Sequence, residues 1–288
     1  MKPEDVVALS EAGFHVVSLA NNHIMDYGPE GMLQTIELLD SKHIVHSGAG
    51  RNLAEARKPA IVERDGLRVA FLSYTSVFIP SFPATENRAG VAAFRVEAAY
   101  LPHPRALEQP GITPTVLTFP DQDDLSAVLQ DIRNAKANAD IVVIAWHWGV
   151  SHGHRKRVSY QMEVGRACID AGADLIVGHH PHAPLGVEVY KKGVICYSIG
   201  NFIFWSGRDP NAYHDQKSLM LDCEIDKNGF QKIAICPVQM TSKYQPEIIH
   251  EAGRVHEILE ALLKDSKEFG TSFHQEGDKL ILDLPFNR

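Results

Sequence analysis

Three short apolar runs, at 14–19, 140–145 and 174–177, each stop at a polar loop: Asn21-Asn22-His23, His147-Trp148-Gly149 and His179-His180-Pro181-His182. Runs of this length, rich in β-branched residues and bounded by turn formers, predict buried strands. Amphipathic stretches follow them. The segment from Pro29 to about Lys42 carries Met32, Ile36 and Leu39 at helical spacing, and 122–138 and 157–171 read as further helices. Strand, polar loop and helix in repeated order predict a mixed α/β chain built round a sheet. In such sheets ligands collect at the carboxyl ends of strands, so the three loops are expected to converge on one site.

The remaining chain divides by pattern. Asp65-Gly66, flanked by 60–63 and 68–75, predicts a hairpin. Between Pro80 and Pro120 the periodicity dissolves and seven of the sixteen prolines fall within 41 residues, which predicts an inserted lid or partner surface. Beyond Gly186 the chain turns strand-rich, with 187–190, 194–198, 218–225 and 230–238, the last two joined across Lys227-Asn228-Gly229. The segment 251–265 reads as an amphipathic helix. The expected organisation is a principal domain over 1–245, with an insertion at about 78–120, and a C-terminal helix and strand extension over 246–288.

Charge narrows the partners. With 28 Lys+Arg against 36 Asp+Glu the net charge is -8, so no broad basic footprint for nucleic acid exists. No apolar run reaches the roughly 18 residues of a bilayer span, and the first residues, Met1-Lys2-Pro3-Glu4-Asp5, show no leader-like apolar stretch. The four cysteines form no close pair, so they read as core thiols. Histidine is the outlier, with six of fifteen falling within 36 residues.

Neutral imidazoles and amide oxygens suit zinc, manganese or iron, and His180-x-His182 can present two rings from one short loop. Asn22 offers an amide oxygen. His23 has Asp26 three residues on, placed to orient an imidazole that protonates a leaving group. Each feature also has a plainer reading. Asn21-Asn22 fits ordinary turn chemistry, and a single histidine after a strand is commonly a satisfied loop residue. His152 and His154, beside Arg155-Lys156-Arg157, suit an anion-facing loop rather than a metal shell. Gly200-Asn201-Phe202 reads as a turn with core packing, with Ser198 and Asn201 placed to face the same cleft.

The segments SLANNHIMDYG at 18–28, AWHWG at 145–149 and DLIVGHHPH through GNFIF at 174–204 resemble the CapA-like capsule-synthesis proteins, the poly-gamma-glutamate biosynthesis family. That resemblance, which covers about residues 1–205, implies kinship with the calcineurin-like metallophosphoesterases. It implies a four-layer αββα sandwich lacking its first strand, because the family's opening Gly-Asp and Asn-Leu-Glu motifs do not occur and the chain looks N-terminally truncated. By resemblance Asn22, His147, His180, His182 and His179 are metal ligands, His179 and His180 competing for one place, while His23 is the general acid with Asp26 as its partner. Asn21, His152, His154, Arg155, Ser198 and Asn201 are then substrate contacts.

The cofactor implied is one or two divalent ions, manganese, iron or zinc, at partial occupancy, since the missing carboxylates would impair the centre. Two functions follow. One is a metal-dependent hydrolase of the phosphoesterase type acting in capsule or poly-gamma-glutamate biosynthesis. The other is a non-catalytic assembly factor that binds an anionic polymer or the capsule-synthesis machinery. Relatives are commonly membrane-anchored and face outward; this chain shows no anchor, which leaves its location open, and an exposed sheet edge favours self-association.

Overall fold

The computed structural model describes residues 3–151, 156–204, 217–241 and 245–287. At the N-terminus helix α1 (Val6–Glu11) leads into strand β1 (Val16–Ser18), and helix α2 (Gly28–Ser41) leads into β2 (Val45–Ser47), which pairs parallel with β1. Pro29 stands near the start of α2, where its missing N–H costs nothing, and Met32, Ile36 and Leu39 lie on its buried face. They pack with Val6, Leu19, Met25 and Ile44 in a small core of their own.

The central sheet contains β3 (Ala60–Arg64), β4 (Leu67–Thr75), then, after the excursion, β7 (Ile141–His147), β8 (Leu175–His179), β9 (Val187–Tyr190) and β10 (Gly193–Cys196). The excursion itself holds a ribbon of β5 (Val96–Leu101) and β6 (Thr115–Pro120). The dissolved pattern at 80–120 therefore conceals two paired strands. Their side chains are largely exposed, so no alternation of buried and exposed residues marks them.

Strand order in the central sheet is β9-β10-β8-β7-β4-β3. Its middle four strands are parallel, and antiparallel neighbours close both edges. Parallel neighbours require crossovers; helices α3 (Gln122–Lys136) and α4 (Ser159–Asp170) supply those from β4 to β7 and from β7 to β8, and the chain from β8 to β10 returns through β9. Both helices pack on one face, where Ile132, Val164 and Cys168 meet Leu72, Ile144, Trp146 and Ile176. Asp121 caps α3 by accepting the Asp124 N–H at 3.0 Å. The tight turn between β3 and β4 has Asp65 and Gly66 both at positive φ, 53° and 74°, as a two-residue hairpin of that sequence demands.

The opposite face of the sheet is covered by a second, antiparallel sheet. It contains the hairpin β11 (Lys217–Asp226) and β12 (Gly229–Met240), together with β13 (Phe273–Glu276) and β14 (Lys279–Leu282). Helix α5 (Ala252–Lys267) adds Val255, Ile258, Leu259 and Leu262 to the core between the sheets, where Ile141, Leu175, Val187 and Val194 meet Leu219, Ile233 and Ile235. The chain is thus a mixed α/β protein with two multi-stranded sheets, and the parallel strands aim their carboxyl ends at one end of the molecule.

Candidate functional site

Register determines which histidines meet. Strands β7 and β8 run parallel with His147 opposite His179, so their rings stand side by side with centroids 4.7 Å apart. Past the strand end the backbone takes positive φ at His180 (100°) and His182 (59°), a region costly for side chains other than glycine. Those turns bring the His180 ring to 4.7 Å from His147 and to 5.6 Å from His182. Gly178 makes the crossing possible. A Cβ there would lie 2.2 Å from the Tyr197 carbonyl oxygen and 2.4 Å from Trp148 Nε1, two atoms that are bonded to each other at 2.9 Å.

The third loop arrives from β1. Asn21 Oδ1 accepts the N–H groups of His23 at 2.8 Å and Ile24 at 2.9 Å, a side-chain turn that orders the loop and turns Asn22 inward. Asn22 Oδ1 then lies 2.9 Å from His147 Nε2, across 125 residues of chain. The three strand-end loops meet. His147 is 7% exposed and its Nδ1 is buried without a hydrogen-bond partner among the described residues. Burial, followed by repulsion from His179, His180 and His182, holds its pKa far below the usual histidine range. Burial also brings His179 down to about 4. Both rings are therefore neutral at physiological pH, the form in which imidazole offers a lone pair.

The spacing tests whether a cation suits these donors. Two ligands at right angles, each about 2.1 Å from one ion, lie roughly 3 Å apart, which is the separation of Asn22 Oδ1 and His147 Nε2. With Asn22 Oδ1 as acceptor, Nε2 of the neutral, buried His147 carries the ring proton in the metal-free protein, and an ion held between the two atoms would take that proton's place, leaving the ring protonated at Nδ1. No group of three His, Cys, Asp or Glu side chains among the described residues is arranged to hold a metal ion, so beyond the Asn22–His147 pair the rings do not stand as a finished shell. The donor set suits part of a shell, with nothing in it to offset a double positive charge.

The other expected residues fall in three classes. His23 Nδ1 is 2.9 Å from Asp26 Oδ2 at the rim, with the His23 side chain 66% exposed. Ser198 is buried and its hydroxyl accepts the Gly200 N–H at 3.3 Å, while Asn201 bonds to His182. His152, His154 and Arg155 lie outside the described residues. Two expectations need correction. Arg157 is not a solvated anion contact: its guanidinium, 10% exposed, lies over the rings of Phe269 and Tyr197 and pairs with Asp265 and Glu268 of the α5 region. Phe202 is not core packing but stands 38% exposed.

Sequence reasoning missed Tyr160 and Ser76. The Gly149 N–H donates to the Tyr160 hydroxyl at 2.7 Å, that hydroxyl bonds Ser76 Oγ at 2.7 Å, and the Ser76 N–H donates to the His147 carbonyl at 2.9 Å. This chain of bonds ties the ends of β4 and β7 to the start of α4, and no spacing in the sequence announces it.

With the geometry in place, comparison with known proteins assigns the family. Residues 1–206 match the family described as bacterial capsule synthesis protein PGA_cap. The chain belongs to that family. Among its relatives, the capsule biosynthesis protein CapA of Bacillus anthracis is 32% identical over 98% of this chain and 61% of its own length. The PGA biosynthesis protein CapA of Bacillus subtilis is 30% identical over 98% of this chain and 64% of its own. A probable polyglutamine synthesis accessory protein of Mycobacterium tuberculosis is 29% identical over 70% of this chain and 48% of its own. This PGA_cap chain thus spans about three fifths of the length of the two CapA relatives. Among its described residues no helix is long and apolar enough to cross a membrane.

Proposed function

We propose that this PGA_cap protein serves capsule or polyglutamate synthesis through a cation-dependent site that Asn22 and His147 begin and the His180 and His182 rings complete on cation binding, and that the site acts on an anionic polymer or phosphoester. The contact between Asn22 and the buried, neutral His147 carries this reading. Manganese, iron or zinc suits such nitrogen and amide-oxygen donors. A divalent ion held there would polarise a substrate oxygen and acidify bound water.

The residues themselves set the selectivity. A shell made only of neutral donors leaves the ion's charge uncompensated, so a carboxylate or phosphate oxygen of the substrate is its natural complement. His179, opposite His147 in register, packs against that ring and limits its motion. His23, hydrogen-bonded through Nδ1 to Asp26, is oriented to deliver a proton from Nε2 to a leaving group at the rim.

Hydrolysis of a model phosphodiester and of poly-γ-glutamate, with and without added manganese or zinc, tests the proposal. His147→Ala should abolish both cation binding and turnover. His23→Ala should keep the cation and lose about 10²–10⁴-fold in rate. Turnover that survives chelation and His147→Ala would overturn the hydrolase reading. The neutral donors Asn22 and His147 favour one alternative, a cation-assisted polymer-binding factor without turnover, which cation-dependent polymer binding insensitive to His23→Ala would identify.

A further inference from the structure

Asn201 was expected to touch substrate, yet both ends of its amide are engaged with a single residue. Oδ1 lies 2.8 Å from His182 Nδ1, and Nδ2 lies 3.4 Å from the His182 carbonyl oxygen. The side chain is 7% exposed, so water does not compete for these bonds. Carbonyl oxygens only accept, so the amide NH₂ must face the His182 carbonyl, and a reversed amide would set two oxygens against each other. The amide oxygen therefore faces the ring. Since that oxygen also only accepts, Nδ1 must carry the proton, and in a neutral imidazole the lone pair is then on Nε2.

We infer that Asn201 is a positioning residue that fixes His182 in the Nδ1–H tautomer, so that Nε2 is the donor atom this loop supplies to the cation site. The inference rests on the proposed function in taking His182 as a ligand. It assigns Asn201 to the ring's orientation and basicity instead of to substrate, the role that carbonyl and carboxylate acceptors play behind metal-bound histidines.

The fold holds Asn201 in place for this task. Ile199 N–H donates to the Gly178 carbonyl at 3.0 Å, and the Ile199 carbonyl accepts from Leu219 N–H at 2.8 Å and Ser218 Oγ at 2.9 Å. The segment before Asn201 is thereby pinned between the two sheets. Gly200 follows at φ 78°, where a Cβ would lie 2.6 Å from the Lys217 carbonyl oxygen, so only glycine lets the chain turn there and present Asn201 to the histidine loop. By gripping ring and carbonyl together, Asn201 also holds His182 at its left-handed φ of 59°.

Long-range ¹H–¹⁵N correlation of the histidine rings in the metal-free full chain, at alkaline pH, reads the tautomer directly; a His182→Gln variant assigns the signal. The wild-type ring should show a protonated Nδ1 and a bare Nε2. Asn201→Asp, which keeps an acceptor, should preserve that pattern, and Asn201→Ala should convert it to a mixture. In zinc titrations Asn201→Ala should bind about 10–100-fold more weakly than wild type, while Asn201→Asp stays close to it. A wild-type ring protonated at Nε2, or an unchanged tautomer in Asn201→Ala, would overturn the inference. Should Asn201→Ala not fold, the wild-type spectrum decides alone. Failure of wild type to bind zinc would instead strike the proposed cation site and leave the tautomer result standing.

Discussion

Gly178→Ala places one methyl group at the most crowded crossing near the site. The added Cβ would lie 2.2 Å from the Tyr197 carbonyl oxygen and 2.4 Å from Trp148 Nε1, and both belong to rigid neighbours. Trp148 is fully buried and stacked on Trp146 with centroids 5.2 Å apart, so its ring cannot swing clear. Forcing an extra methyl into a packed core costs about 1–3 kcal/mol. Parting the indole N–H from its 2.9 Å acceptor strands a buried donor, at a further cost of about 1–3 kcal/mol. The two terms overlap because one displacement causes both, and their sum is roughly 2–5 kcal/mol. Urea unfolding followed by tryptophan fluorescence reads the loss. Gly66→Ala is the control: it meets no neighbour within 4 Å and suffers only a positive φ of 74°, for a cost of about 1 kcal/mol. A loss in Gly178→Ala no larger than in the control would refute the claim that this crossing sets the position of the histidine loop.

Further outcomes follow from the same packing. His147 and His179 have folded-state pKa values below the ordinary 6.5, so the unfolded chain takes up protons first, and the metal-free protein should lose stability as pH falls from about 6.5 towards 4. The loss should reach about 1.4 kcal/mol per pH unit for each proton; a urea midpoint flat across that window would contradict the burial of neutral rings. Arg157→Ala should cost about 1–3 kcal/mol through lost stacking on Phe269 and Tyr197, and Arg157→Lys should restore little because an ammonium lacks the planar face. Unchanged stability combined with weakened binding of polyglutamate would show Arg157 to be a polymer contact after all.

Much of this architecture is legible in the sequence where a side chain's burial leaves a periodic trace. The parallel strands β7 and β8 read as apolar runs because both faces are covered, and α2, α3 and α5 read from apolar stripes. Asp65-Gly66 announces its hairpin because few residues tolerate positive φ. The β5–β6 ribbon is illegible for the opposite reason: exposed on both faces, it has no alternation to read. Convergence of Asn22, His147 and His180 follows from their common placement after strands. What spacing cannot supply is pairing across the chain. Tyr160 with Ser76 and Asn201 with His182 depend on which loops meet, and the basic run at 155–157 resembles an anion site until Phe269 and Asp265, more than a hundred residues on, fold over Arg157.

Asn22, His147 and the His180/His182 loop should share one cation. Anomalous diffraction from crystals of the full chain grown with manganese locates that ion without reference to any activity. A single peak between Asn22 Oδ1 and the His147 and His180 rings, absent in crystals of His147→Ala, is the expected result. Density that appears only elsewhere on the molecule, or that persists unchanged without the His147 imidazole, would contradict it.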